Sequence, residues 1–168
     1  MGCTWIRGLA ILLVAGTGWT QSADRLSRTD STIVLGGPGE FLAAGAEAMR
    51  AGDFEEGIQL TTRGLERDAP SNMDRSAALS NLCAAYSAIG DPDKAIEYCN
   101  ESLGIHSGNW RAFSNRAYAY WLKGMYAEAR FDVDAAAAIN PTSRQVASIR
   151  AMINEAVLQP RISTEDRQ

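Results

Sequence analysis

Side chains that could act as catalysts are sparse in this chain. The single histidine, His106, has no second histidine to work with, and the sequence contains neither a Gly-x-Ser-x-Gly turn nor a phosphate-binding loop. Asp132 and Asp134 are two residues apart, so on a helix they would lie on different faces and could not share acid–base work. We therefore expect a protein that is not an enzyme.

The three cysteines point to a disulfide or to buried thiols, not to a metal site. Their spacing matches no metal-binding motif, and His106 alone cannot complete one. Cys3 lies in a segment that we expect to be removed, which leaves Cys83 and Cys99. In an oxidising compartment these two could form one disulfide; otherwise they would behave as small hydrophobic side chains. No metal and no cofactor is expected.

Composition and charge exclude further classes of function. The chain has 168 residues, of which 46% are hydrophobic and 21% charged, as in a soluble globular domain. The net charge is −4, and no run of Lys or Arg forms a basic stripe. Nucleic acid is therefore not an expected partner.

Residues 1–23 have the features of a secretory signal peptide. Arg7 precedes an apolar run over 9–15, and several small residues follow it. The run is shorter than the ~20 residues that cross a bilayer, so we expect no stable membrane span after cleavage. An uncleaved anchor is the alternative. We expect an exported protein, most naturally in a bacterial periplasm.

A turn pattern then occurs three times, around Gly52, Gly90 and Gly124. Gly124 follows Gly90 by 34 residues, and Gly90 follows Gly52 by 38. A period near 34 residues is typical of repeated helical hairpins, each too small to bury its own apolar face. The longer first interval predicts a longer loop between the first two units.

These positions resemble those of the tetratricopeptide-repeat family, which needs small residues where the two helices of a hairpin approach closely. The resemblance implies an all-α, right-handed superhelix of three helical hairpins and a C-terminal capping helix. The small positions are filled by Gly45, Gly57, Gly64, Cys83, Ala95, Ser102, Ala117, Ala129 and Ala136. The predicted units of this domain, 38–158, are 38–71, 76–109 and 110–143, with the capping helix over 143–158.

The predicted flanks of this domain are irregular. Residues 24–37 form a flexible leader, in which Ile33, Val34 and Leu35 either pack onto the first helix or act as a docking strand. Pro160 is expected to stop the capping helix. Residues 159–168 are predicted to be a disordered tail.

In the family that this chain resembles, the first helix of each unit lines a concave groove that binds a protein or peptide. Tyr118 and Trp121 either face this groove or pack on the capping helix. Some relatives, the heat-shock co-chaperones, clamp a terminal carboxylate, but only Asn81 and Arg111 match two of the five clamp positions. The predicted protein-binding residues are Met49, Asn81, Arg111, Asn115, Tyr118 and Trp121.

Arg116 falls at a position that is usually apolar in the family. We expect its stem to pack between helices and its guanidinium to pair with an acidic neighbour, Glu101 being the candidate.

The resulting prediction is a protein–protein interaction adaptor. A structural subunit of a cell-envelope complex and a receptor for a small ligand or cell-wall fragment are the alternatives. A subunit should expose apolar residues on its outer helices, where polar side chains predominate in the sequence. Neither the identity of the partner nor the oligomeric state follows from the sequence.

Overall fold

The structure is a computed structural model that describes residue 33 and residues 39–165, with side chains described through Leu158. The predicted signal peptide and most of the predicted leader lie outside the described residues. The described part is all-helical, with seven helices and no strand. This confirms the predicted fold class.

Six of the helices form three consecutive hairpins. The first hairpin joins α1 (Glu40–Ala51) to α2 (Phe54–Arg67), the second joins α3 (Asn72–Ala88) to α4 (Pro92–Ile105), and the third joins α5 (Trp110–Leu122) to α6 (Tyr126–Ile139). The last helix, α7 (Arg144–Glu165), packs on both helices of the third hairpin. The first helices also contact one another in the order α1, α3, α5, α7. They form one face of the stack.

The turns within the hairpins require glycine. Gly52, Gly90 and Gly124 have φ of 95°, 82° and 73°, a left-handed conformation that other residues adopt only at a cost. The backbone N–H of Gly52 donates to the carbonyls of Ala48 and Met49 at the end of α1. The repeated glycines therefore mark where each first helix ends.

Close approach of the helices explains the small residues of the first hairpin. A Cβ on Gly45 would lie 2.8 Å from the backbone N of Thr61, and one on Gly64 would lie 2.9 Å from the backbone N of Leu42. Glycine in a helix costs about 1 kcal/mol relative to alanine. Here that cost is the condition for α1 and α2 to pack backbone against backbone.

Helix α7 is longer than predicted. It continues to Glu165, past the expected end at Leu158 and through Pro160. A proline removes one backbone donor and crowds the preceding turn, so a helix can pass it only at a cost. The buried residues of α7 all lie before Leu158: Gln145, Val146, Ile149 and Ile153.

No helix among the described residues is both long enough and apolar enough to cross a bilayer.

Candidate protein-binding groove

Four of the six predicted binding residues come from α5. Arg111, Asn115, Tyr118 and Trp121 follow one another at intervals of four, three and three residues, so they lie along one face of that helix. This is the face on which α3 and α7 flank α5. The structure gives these four side chains different environments.

Asn115 belongs to a buried hydrogen-bond chain that links three helices. Its Nδ2 donates to the carbonyl oxygen of Ser80 at 3.0 Å and to the Ser80 hydroxyl at 3.3 Å. The Nε2 of Gln145 donates to Asn115 Oδ1 at 2.9 Å. Ser80, Asn115 and Gln145 are all buried. Asn115 thus sets the spacing of α3, α5 and α7, and its contact with a partner remains a prediction.

Sequence reasoning missed Gln145. It follows Arg111 by 34 residues, the repeat interval, so α7 continues the repeat as a fourth first helix. That interval was the available signal.

A second polar cluster fixes the start of α5. Ser102 donates its hydroxyl to the carbonyl of Ser76 at 2.7 Å, and Asn109 Nδ2 donates to both serine hydroxyls at 3.1 Å. Asn109 Oδ1 in turn accepts from the backbone N–H groups of Arg111 and Ala112, which caps the helix. These bonds tie the first turn of α5, and with it Arg111, to the second hairpin.

Arg111 is half-buried at this fixed turn. Its guanidinium carbon lies 4.4 Å from the centre of the Trp110 ring, within cation–π distance. Burial lowers the pKa of Arg111 from its ordinary value of 12.5. An arginine stays cationic at neutral pH even so, hence it supplies a positive charge at this end of the groove.

Tyr118 and Trp121 form an aromatic stack. Their ring centres are 5.8 Å apart and their planes differ by 12°. Both rings pack against the buried cluster that contains Val146, Ile149 and Ile153 of α7, yet both remain partly exposed. The two sequence-based alternatives, groove and capping helix, therefore hold together.

The polar ends of the two rings are also constrained. Trp121 Nε1 is buried and has no hydrogen-bond partner among the described residues. Burial raises the pKa of Tyr118, so the phenol remains neutral at physiological pH. The stack consequently offers an apolar surface.

Met49 and Asn81, the remaining two predicted residues, are buried. Met49 is 2% exposed and packs against Gly57 of α2. Leu42 and Ala46, which stand at clamp positions in the co-chaperones, are equally inaccessible. In this structure the α1 side of the groove is closed, and the accessible predicted residues lie on α5.

Arg116 pairs with Asp132 rather than with Glu101, as predicted from the sequence. Its Nε and Nη2 donate to the two carboxylate oxygens of Asp132 at 2.7 and 2.8 Å, and Nη1 donates to Asn100 Oδ1 at 2.6 Å. Asp132 lies on α6, the partner helix in the same hairpin, and is 1% exposed. The bidentate geometry makes this a structural ion pair.

Cys83 and Cys99 are joined by a disulfide that links α3 to α4. Their Cα atoms are 5.4 Å apart, within the range that a disulfide spans. Both residues are fully buried, in a cluster with Ala95, Ala112 and Ala119. The bond crosslinks the second hairpin at its core.

Metal-binding groups are not assembled. Within the part of the chain that the structure describes, no three His, Cys, Asp or Glu residues come together to hold a metal ion. His106 sits at the end of α4, where its backbone N–H donates to Ser102 O.

Stacked antiparallel hairpins whose first helices share one face define a helical-repeat protein. The family model described as "Tetratricopeptide repeat" matches residues 78–107 and 111–143, within the second and third hairpins. The chain is a tetratricopeptide-repeat protein, as its repeat pattern predicted.

One curated relative shares part of this region. The rat protein "DnaJ homolog subfamily C member 3" is 35% identical over 65 residues, which make up 39% of this chain and 13% of that protein. This chain therefore corresponds to only a small part of it.

Solved structures share the fold. The second tetratricopeptide-repeat domain of human RPAP3, in complex with the HSP70 peptide SGPTIEEVD, superposes with a TM-score of 0.58 at 22% identity, covering 66% of this chain and 89% of that one. The Hsp90 co-chaperone Cns1 from Saccharomyces cerevisiae superposes with a TM-score of 0.68 at 17% identity, covering 88% and 43%. At these identities the likeness concerns the fold alone.

Proposed function

We propose that this protein is a non-enzymatic adaptor that binds a segment of another protein at the α5–α7 end of its groove. One observation carries the proposal: Arg111, Tyr118 and Trp121 lie on one helix face, held by polar networks and by α7, and each is partly exposed. Arg, Tyr and Trp are the residue types that most often dominate protein interfaces. The human RPAP3 domain, with the same fold, is itself in complex with a peptide.

The chemistry of the site suggests the kind of segment. Arg111 favours an anionic group, and the Tyr118–Trp121 stack favours an apolar side chain. The four- and three-residue steps between these side chains place the two features about 10–15 Å apart along the helix. The partner would therefore present an acidic and an apolar residue separated by about three to four residues in extended form.

The binding mode differs from a carboxylate clamp. Leu42 and Ala46 are buried and uncharged where the co-chaperones place clamp residues, and Asn115 is engaged with Ser80 and Gln145. We therefore expect recognition of an internal segment of the partner, with no requirement for a free C-terminus.

The location we propose is outside the cytosol, in a bacterial periplasm. Two observations support export: the signal-peptide pattern of residues 1–23, and the disulfide between Cys83 and Cys99. Disulfides persist in oxidising compartments and are rare in the cytosol. Removal of the signal peptide would leave no stable membrane span.

One observation favours a second candidate function, a structural subunit of an envelope complex. Phe131 on α6 is 73% exposed, although the outer helices were predicted to be polar there. A partner that packs on this outer face would cover Phe131 and leave the groove empty.

The experiment that separates these functions is in-situ cross-linking followed by affinity capture from the host's envelope fraction. The groove variant is Arg111→Ala/Trp121→Ala, and its matched control on the outer face is Arg130→Ala/Phe131→Ala. Circular dichroism checks that both variants remain helical. A milder variant, Arg111→Glu, tests the groove without removing buried aromatic area.

Loss of the captured partner in the groove variants, with retention in the outer-face variant, is the expected result. The opposite pattern would assign the interaction to the outer face and contradict the proposed site. Capture in the cytosolic fraction alone would contradict export.

A further inference from the structure

Ile33 is buried although it precedes the first helix. It is 7% exposed, and it is separated from Gly39 at the start of α1 by residues 34–38, which lie outside the described residues. A leader that only connected a signal peptide to the domain would have no reason to bury an isoleucine. The other buried residues of its cluster come from α1 and α3: Ala46, Met49, Leu79, Leu82 and Ala85.

The α1 members of this cluster place Ile33 on the groove side. Ala46 is 1% exposed, whereas the residues at the equivalent points of the second and third hairpins, Ala84 and Tyr118, are partly exposed. An alanine is too small to bury itself, so another group must cover it. On the opposite side of α1, Ala44 and Glu47 are exposed, so Ile33 does not cover that side.

The connection from Ile33 to α1 is long enough for this placement. Ala46 and Met49 lie seven and ten residues along α1 from Gly39, or about 10–15 Å at the rise of an α-helix. Six residues of extended chain reach up to about 20 Å. The sequence Gly36-Gly37-Pro38-Gly39 provides the conformational freedom for the chain to turn back over α1.

We propose that the leader is an intramolecular ligand of this protein, with Ile33 seated on the groove side of α1 and α3. The leader then occupies the N-terminal half of the groove, and the α5–α7 end stays open to a partner. A segment that extends along the whole groove must displace Ile33. The contact itself stands apart from the proposed adaptor function; only its effect on a partner depends on that function.

Methyl NMR of the full chain tests the contact without any partner. In protein labelled with ¹³C at the methionine methyl groups, Ile33→Asp is expected to shift the Met49 resonance and to leave that of Met125, on the third hairpin, in place. The matched control is Ile139→Asp, at an isoleucine that is already 46% exposed, which should leave Met49 unchanged. Ile33→Val keeps an aliphatic group and is expected to give a spectrum like that of the wild type.

A peptide added in trans tests occupancy. A fluorescent peptide of residues 28–38 should bind the full-length Ile33→Asp variant and bind the wild type at least about tenfold more weakly, because the wild-type leader holds the site more than about 90% of the time. The same peptide with Ile33→Asp should bind neither protein.

Two results would overturn the proposal: a Met49 resonance that does not move in Ile33→Asp, or a peptide that binds the two proteins equally or not at all. Both measurements are independent of the cross-linking experiment, so an adaptor without this leader contact and a leader contact without an adaptor are distinguishable. Unfolding of Ile33→Asp, seen as a loss of helical circular dichroism, would also contradict the proposal, since a releasable ligand is not required for the fold.

Discussion

Arg116 and Asp132 show how this protein keeps charge inside a hairpin. Asp132 is almost completely buried, and the side chain of Arg116 is 17% exposed. A buried carboxylate is tolerated only when its lone pairs are satisfied, and Arg116 supplies two parallel N–H donors. The stem of Arg116 lies beside Phe113 and Tyr120, whose ring centres are 5.6 and 6.0 Å from its guanidinium carbon. The arginine thus fills an apolar site and neutralises an acidic one.

We expect Arg116→Leu to destabilise the protein by about 3–5 kcal/mol, because it leaves Asp132 buried without a partner. The double variant Arg116→Leu/Asp132→Ala should recover most of that loss, since no charge is then stranded. Urea unfolding followed by circular dichroism measures both.

The control for this pair is Arg150→Ala, which removes the exposed pair between Arg150 and Asp134. Exposed pairs contribute about 0–1 kcal/mol. If Arg116→Leu costs no more than the control, the buried pair is not structural.

At the scale of elements, each hairpin closes by a different device. The first hairpin brings α1 and α2 together through glycines, and the Asp68 carboxylate accepts from the backbone N–H of Leu42 in the first turn of α1, at 2.9 Å. The second is crosslinked by Cys83 and Cys99, and the third is held by the Arg116–Asp132 pair. Repeat proteins are stabilised by their units and by the interfaces between neighbours, so each closure also supports the adjacent hairpin.

Replacing Cys83 and Cys99 by alanine should lower the free energy of unfolding by about 3 kcal/mol, because a crosslink over 16 residues restricts the unfolded chain. Thermal unfolding of oxidised protein, of protein with reductant and of the double variant measures this. Reductant should destabilise the first protein and have no effect on the variant.

Thiol titration gives an independent check. In a Cys3→Ser background, the denatured, unreduced protein should contain no free thiol. Two titratable thiols would show that the bond is absent.

At the scale of the molecule, α7 completes both the core and the groove. Val146, Ile149 and Ile153 bury their side chains against the third hairpin, while Gln145 ends the polar chain that runs through Asn115. Helical repeats need such a terminal helix because an open stack leaves its last apolar face in water. The same helix supports Tyr118 and Trp121, so stability and the proposed binding surface depend on one element.

A chain that ends at Ser143 should not fold cooperatively. Three buried aliphatic side chains contribute about 5–9 kcal/mol together, which is comparable to the total stability of a small domain. Deletion of 159–168 is the control and should leave the melting temperature near that of the wild type, because the buried residues of α7 precede this segment. Cooperative melting of the chain that ends at Ser143 at the wild-type temperature would contradict a capping role for α7.

The sequence by itself determined the repeat architecture. The left-handed turns need Gly52, Gly90 and Gly124, and the close helix pairs need small residues at a fixed interval. Both are local requirements, so they leave a pattern that recurs with the 34-residue period. The hairpins and the helical segment after them follow from that pattern.

Only the tertiary structure decided which groove residues stay accessible. Asn115 is engaged because Gln145, 30 residues later, reaches it, and Met49 is buried because Gly57 lets α2 approach. Arg116 meets Asp132 instead of Glu101 because α6 faces it across the hairpin. Such contacts depend on how helices are oriented after packing, and residue spacing within one helix does not encode that orientation.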